Sequence, residues 1–199
     1  MHVAVLLYDG FDEMDAVGPF EVFANAARVG ADCEVSLREV DDAAVVTASH
    51  GMRVEPDGPL PQLGGDDLLV VPGGGWNDRD RPGAWTEAER GAVPDSIAAM
   101  HDGGATVASV CTGGMLAARA GILDGRPAVT HASALDDLRQ YATVVDARVV
   151  DDGDVVTAGG VTSGLDLAFH LVDREFGDEV ARQVATEMEY QPTGDVVRP

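Results

Sequence analysis

The chain has 199 residues, of which 45% are hydrophobic, enough for one domain with its own core. Thirteen basic residues, all arginine, face 35 acidic ones, a formal net charge of −22. That charge disfavours nucleic acid and anionic membrane as partners, and no apolar run nears the roughly 20 residues needed to span a bilayer. The acid is spread along the whole chain, a composition that resembles salt-adapted archaeal proteins, where screening relieves self-repulsion. Cys33 and Cys111 are the only cysteines, too few for a disulfide scaffold. The chain opens on a strand pattern rather than a basic stretch and apolar leader, so a cytoplasmic protein is expected.

Taken in order, Val3–Tyr8 reads as a strand and Asp15–Val29 as a helix, with Val17, Phe20, Val22, Phe23 and Ala26 as its apolar stripe. Pro19 is expected in the first turn of that helix, where its missing N–H costs little. Cys33–Val40 is a second strand, and 44–47 with 52–55 form a short hairpin. Asp67–Val71 is a core strand that ends in Pro72-Gly73-Gly74-Gly75. One helix is expected over Glu87–His101, then a buried strand over Ala105–Val110 and a helix from Thr112 onward. Short elements follow: a strand at 127–130, a helix at 134–141, and strands at 144–150 and 155–158 before Gly159-Gly160. Helices at Leu165–Phe176 and Asp178–Tyr190 close the chain. Strands alternating with helices predict an α/β three-layer sandwich with a mainly parallel central sheet, flavodoxin-like and a single domain over 1–199. Ligands on such sheets bind at the carboxyl ends of the strands. The stretch after Tyr8, the glycine run after Val71, and Cys111 all fall at such ends.

Cys111 is the leading candidate for chemistry. It stands between a buried strand and Thr112-Gly113-Gly114, the pattern of a nucleophile elbow. The helix N-terminus behind it is expected to favour the thiolate. Cys33 lacks this context and reads as a core residue. Gly73, Gly74 and Gly75 let backbone N–H groups approach a ligand and, with the amide of Thr112, suit an oxyanion hole. No Gly-Lys-Ser/Thr follows them, so the run is not a phosphate-binding loop. Three carboxylates after the first strand, Asp12, Glu13 and Asp15, are candidates for a proton shuttle or for helix N-terminal charges, and the residues alone do not choose among them. His131 is the best-placed histidine for a substrate or catalytic contact; His2, His50, His101 and His170 have no supporting context. No histidine or cysteine pair has metal-ligand spacing, and neither metal nor cofactor is expected.

The segments Met-Asp-Ala-Val-Gly-Pro-Phe-Glu-Val-Phe (14–23), Leu-Val-Val-Pro-Gly-Gly-Gly (69–75), Ser-Val-Cys-Thr-Gly-Gly (109–114), Ala-Gly-Ile-Leu-Asp-Gly-Arg-Pro-Ala-Val-Thr-His (120–131) and Gly-Gly-Val-Thr-Ser-Gly-Leu-Asp-Leu-Ala (159–168) resemble the ThiJ/PfpI superfamily, of class I glutamine amidotransferase-like fold. Within it, Cys-Thr-Gly and Asp-x-x-Gly-Pro-x-Glu-Val-Phe are similar to the isonitrile hydratase branch and to sensor-like domains of AraC-type regulators. Members related to proteases and glyoxalases more often carry histidine directly after the cysteine, where this chain has Thr112. The resemblance implies a nucleophile at Cys111, an acidic partner at Asp15, a backbone donor at Thr112 and glycine donors at Gly74 and Gly75. Where relatives often have an aromatic residue after the Thr-His pair, this chain has Ala132. The resemblance further implies a homodimer acting on a small molecule. A cysteine-dependent hydro-lyase that turns an isonitrile into an N-substituted formamide is the expected activity. The alternatives are a ligand- or cysteine-oxidation-sensing domain, and a glyoxalase or deglycase if His131 adjoins Cys111.

Overall fold

A computed structural model describes residues 1–192 and 196–199. Its centre is a seven-stranded sheet built from β1 (His2–Leu7), β2 (Glu34–Glu39), β5 (Leu68–Val71), β6 (Thr106–Ser109), β9 (Val149–Asp151), β10 (Val155–Ala158) and β11 (Val196–Val197). The order is β11-β9-β10-β6-β5-β1-β2, with every pair parallel except β9–β10. All four residues of β5 are buried, as are five of six in β1, which is why these strands read as continuous apolar runs. Two small sheets lie outside: β3 (Val46–Thr47) with β4 (Arg53–Val54), the expected hairpin, and β7 (Pro127–Ala128) with β8 (Thr143–Val144).

One helical group contains α1 (Glu13–Arg28), α6 (Ser163–Phe176) and α7 (Asp178–Glu187), which contact one another. A second contains α2 (Ala84–Arg90), α3 (Ala92–Asp102), α4 (Gly113–Arg119) and α5 (Leu135–Leu138). The result is the expected α/β fold with a mainly parallel sheet. Among the described residues, no helix is long and apolar enough to cross a membrane.

Three local readings are corrected, and one strand is added. Gly91 adopts φ 85 and breaks the single helix expected over Glu87–His101 into α2 and α3. The segment 144–150 divides between β8 and β9, because its two ends pair with different sheets. Strand β11 was not foreseen; two residues of edge pairing leave no periodicity to read. Pro19 lies inside α1, not in its first turn, because the helix starts at Glu13 with Asp12 as its cap. The ring therefore removes the N–H that would otherwise bond the carbonyl of Asp15, four residues earlier.

The order fixes where the loops meet. From β1 the chain runs outward to β2, then returns to the other side of β1 as β5. The crevice between the carboxyl ends of β1 and β5 is thus a topological switch point, with β6 next door. Asp15 follows β1, Gly73 follows β5 and Cys111 follows β6.

Candidate active site

Cys111 takes φ 56, in the left-handed region that a side-chain-bearing residue rarely occupies. The turn is pinned from several sides. Cys111 N–H donates to the carbonyls of Gly159 at 2.8 Å and Ala158 at 3.2 Å, and Thr130 Oγ1 donates to the Cys111 carbonyl at 2.7 Å. Gly113 is needed for close approach: a Cβ there would lie 2.2 Å from the Val71 carbonyl oxygen. A Cβ on Gly73 would lie 2.4 Å from Thr112 N, so the β5 loop and the elbow touch backbone to backbone.

Asp15 is fully buried. Its Oδ2 accepts from Gly73 N–H at 3.0 Å, while Oδ1 has no partner in full hydrogen-bond geometry. The Cys111 thiol faces this carboxyl group closely enough to stabilise its ionised form in part. Burial and the charge of Asp12 outweigh that help and the Gly73 bond, and hold the Asp15 pKa at about 7. Burial, then Asp15, pushes the Cys111 thiol up to about 12, against the opposing pull of the Val161 and Thr112 backbone amides. The expectation of a resting thiolate is therefore corrected. Cys111 is 6% exposed, and its short helix does not offset desolvation next to a carboxylate. Burial thus favours the protonated thiol, with the Asp15 carboxyl group placed to accept its proton.

The remaining candidates have distinct places. Thr112 Oγ1 accepts from Gly74 N–H at 2.9 Å, which commits that amide to holding the elbow. Gly75, at φ 68, is the next glycine along and borders a cleft of about 350 Å³ with Gly10, Thr47, Ser49 and Arg81. His131 Nδ1 pairs with Ser133 Oγ at 2.8 Å, and its ring packs on Gly160, where a Cβ would meet it at 2.8 Å. Among the described residues, His131 makes no hydrogen bond to Cys111. Asp12 caps α1 by accepting from Met14 N–H. Glu13 takes N–H groups from His50 and Met52 and side-chain bonds from Ser49 and His50. Burial raises its pKa, but these bonds prevail and hold it at about 2. Ligand-capable atoms of Asp12, Glu13 and His50 lie within 4.8 Å of one another, the one such group among the described residues. The bonds on Glu13 make this group a clasp between α1 and the 49–52 turn.

Sequence reasoning passed over two residues. Val161 brings its amide to the Cys111 sulfur, and Gly159-Gly160 after β10 was the available signal, a further strand-end glycine pair. Tyr8, at the end of β1, donates its hydroxyl to the Pro72 carbonyl at 2.8 Å. A tyrosine closing a buried apolar strand needs a partner for its hydroxyl, and that was its signal.

The family pattern described as the DJ-1/PfpI family matches residues 1–174. The chain belongs to the DJ-1/PfpI family. It is 31% identical over 193 residues to the isonitrile hydratase of Pseudomonas putida, covering 96% of this chain and 79% of that protein. It is also 31% identical to the HTH-type transcriptional regulator CdhR of Pseudomonas aeruginosa, over 92% of this chain and 53% of the regulator. The crystal structure of a ThiJ/PfpI family protein from Pseudomonas syringae superposes with a TM-score of 0.82 at 28% identity, covering 96% of this chain and 76% of the other. The DJ-1/PfpI fold thus carries the Asp15–Cys111 pair at its switch point.

Proposed function

We propose that this chain is a cysteine-dependent hydro-lyase of the isonitrile hydratase type, adding water to R–N≡C to give R–NH–CHO. One observation carries the reading: a buried thiol on a strained elbow faces a buried carboxyl group whose pKa is about 7. Likeness to the P. putida isonitrile hydratase supports it. Above that pH Asp15 is ionised and takes the Cys111 proton as sulfur bonds to the terminal carbon. Asp15 returns the proton to that carbon, giving the thioimidate Cys–S–CH=N–R. Water then adds to the same carbon, and its proton passes through Asp15 to nitrogen. The resulting R–NH–CH(OH)–S–Cys collapses with cleavage of the carbon–sulfur bond. The hydroxyl proton returns to sulfur, and the formamide leaves. The Thr112 and Val161 amides stabilise negative charge on sulfur as it develops. In this reading Gly75 and His131 contact the substrate.

In this reading the protein is a cytoplasmic homodimer in a salt-rich setting. Met14 and Val17, 45% and 40% exposed on the helix that carries Asp15, support self-association. The test is incubation of purified protein with an alkyl isonitrile in concentrated salt, with formamide read by proton NMR. Formamide is expected, with turnover rising as pH passes about 7 and lost in Cys111→Ala. No formamide, or equal turnover by Cys111→Ala, overturns the proposal.

Likeness to CdhR favours the second reading, a sensing domain. Selective oxidation needs an accessible thiolate, and a buried, protonated Cys111 works against it. Preferential oxidation of Cys111 over Cys33 by mild peroxide would favour sensing.

A further inference from the structure

Two hydrogen bonds converge on a single peptide unit. The Tyr8 hydroxyl donates to the Pro72 carbonyl at 2.8 Å, and the N–H of the same Pro72–Gly73 peptide donates to Asp15 Oδ2 at 3.0 Å. The Gly73 carbonyl is held as well, accepting from Asp12 N–H at 2.8 Å. Because the peptide is planar, a bond on its oxygen fixes the direction of its N–H. A donor on the carbonyl also polarises the group and strengthens the N–H as a donor, and burial magnifies the effect. Tyr8 is 4% exposed.

We propose that Tyr8 is a positioning residue, acting through the Pro72–Gly73 peptide to hold the Asp15 carboxylate against the Cys111 thiol. The Tyr8 hydroxyl spends its proton on the Pro72 carbonyl, not on the Cys111 sulfur. It is a phenol that acts only as a donor: burial, then the charges of Asp15, Cys111, Glu87 and Asp12, raises its pKa well above 10, so it stays protonated. The charged or titratable groups facing Asp15 are Asp12 from its own helix cap and Cys111 from the elbow, with Tyr8 reaching it from β1. No cation faces Asp15 among these groups, so donated hydrogen bonds carry the stabilisation of its ionised form. A tyrosine serves here where phenylalanine would fill the same space without the bond.

The inference rests on Asp15 and Cys111 acting as a pair, and its test avoids isonitrile turnover, so it stands or falls separately from the proposed substrate. The rate of Cys111 alkylation by iodoacetamide is followed against pH by mass spectrometry, with Cys33 as the internal reference. Wild-type protein should show a limb with a midpoint near the Asp15 pKa of about 7. Tyr8→Phe should move that midpoint upward by about half a pH unit, because the carboxylate loses support. 3-Fluorotyrosine placed at position 8, a stronger donor, should move it downward. Neither change should alter the Cys33 profile, and both shifts should vanish in an Asp15→Asn background. A merely structural role for Tyr8 would not give shifts of opposite sign. Unmoved midpoints, or shifts that persist without the Asp15 carboxyl group, overturn the proposal. If Tyr8→Phe fails to fold, the fluorotyrosine protein alone decides.

Discussion

Replacing Asp15 by asparagine should stabilise the protein at and above neutral pH while abolishing its activity. The side chain keeps its shape, and the asparagine oxygen can still accept from Gly73 N–H, the bond that Asp15 Oδ2 makes at 3.0 Å. Its amide nitrogen takes the place of Oδ1, which has no full hydrogen-bond partner in the native site. What disappears is the cost of ionising a buried carboxyl group. Asp15 is raised from 3.8 to about 7, so the folded protein binds its proton more tightly than the unfolded chain does. Stability contributed by that proton is fully present below pH 3.8 and declines as pH rises towards about 7. The separation between those two values, at about 1.4 kcal/mol per unit, amounts to about 4 kcal/mol as an upper bound. For a chain of this size that corresponds to a rise in Tm on the order of 10 °C at pH 8. The assay is urea denaturation of both proteins at several pH values between 4 and 8, at fixed salt. Subtracting the two curves removes groups common to both, including buried Glu87, whose pKa burial also raises. The difference should be small at pH 4 and grow in favour of the asparagine protein up to about pH 7. Parallel curves would refute the claim that folding raises the proton affinity of Asp15.

Two further substitutions probe the elbow, and a third, outside it, serves as reference. Gly113→Ala would place a Cβ 2.2 Å from the Val71 carbonyl and 2.8 Å from that of Pro72, so β5 and α4 must separate. A loss of about 3 kcal/mol is expected by urea denaturation, because backbone cannot yield as a flexible side chain can. Gly121→Ala, at φ 79 with nothing within 4 Å, should cost only about 1 kcal/mol from backbone conformation, and equal losses at the two sites would contradict the contact argument. Thr112→Val keeps the volume but removes the acceptor for Gly74 N–H. It should cost about 1–2 kcal/mol and lower Cys111 alkylation at pH 8, and an unchanged alkylation rate would separate Thr112 from the working site.

The strand ends were legible because short apolar runs followed by glycine carry their own signal, and β1, β5 and β6 place those ends side by side. The ionisation state of Cys111 was not legible. The helix N-terminus is local and readable; burial beneath the Gly159–Thr162 turn and beside Asp15 comes from chain segments dozens of positions away. Gly91 shows the same limit at the level of the backbone. A lone glycine in a helical pattern is often tolerated, and only its φ of 85 makes it a break.

The choice among Asp12, Glu13 and Asp15 exposes the physics behind that limit. With Asp12 as cap, Asp15 is the third residue of α1, the position whose side chain in a capping box reaches back to the cap's own N–H. Here Gly73 comes between them. Its carbonyl takes the Asp12 N–H at 2.8 Å, and its N–H goes to Asp15 at 3.0 Å. A local motif that would have kept Asp15 at the helix surface is opened by a residue nearly sixty positions away and closed through it. Glu13, one position after the cap, is drawn outward by His50 and Met52 and left ionised. Asp15 is drawn inward, and burial holds its pKa at about 7. Three carboxylates within four positions thus differ in role: a neighbouring amide claims Asp12, while distant backbone groups claim Glu13 and Asp15, and only the fold brings those groups to the start of α1.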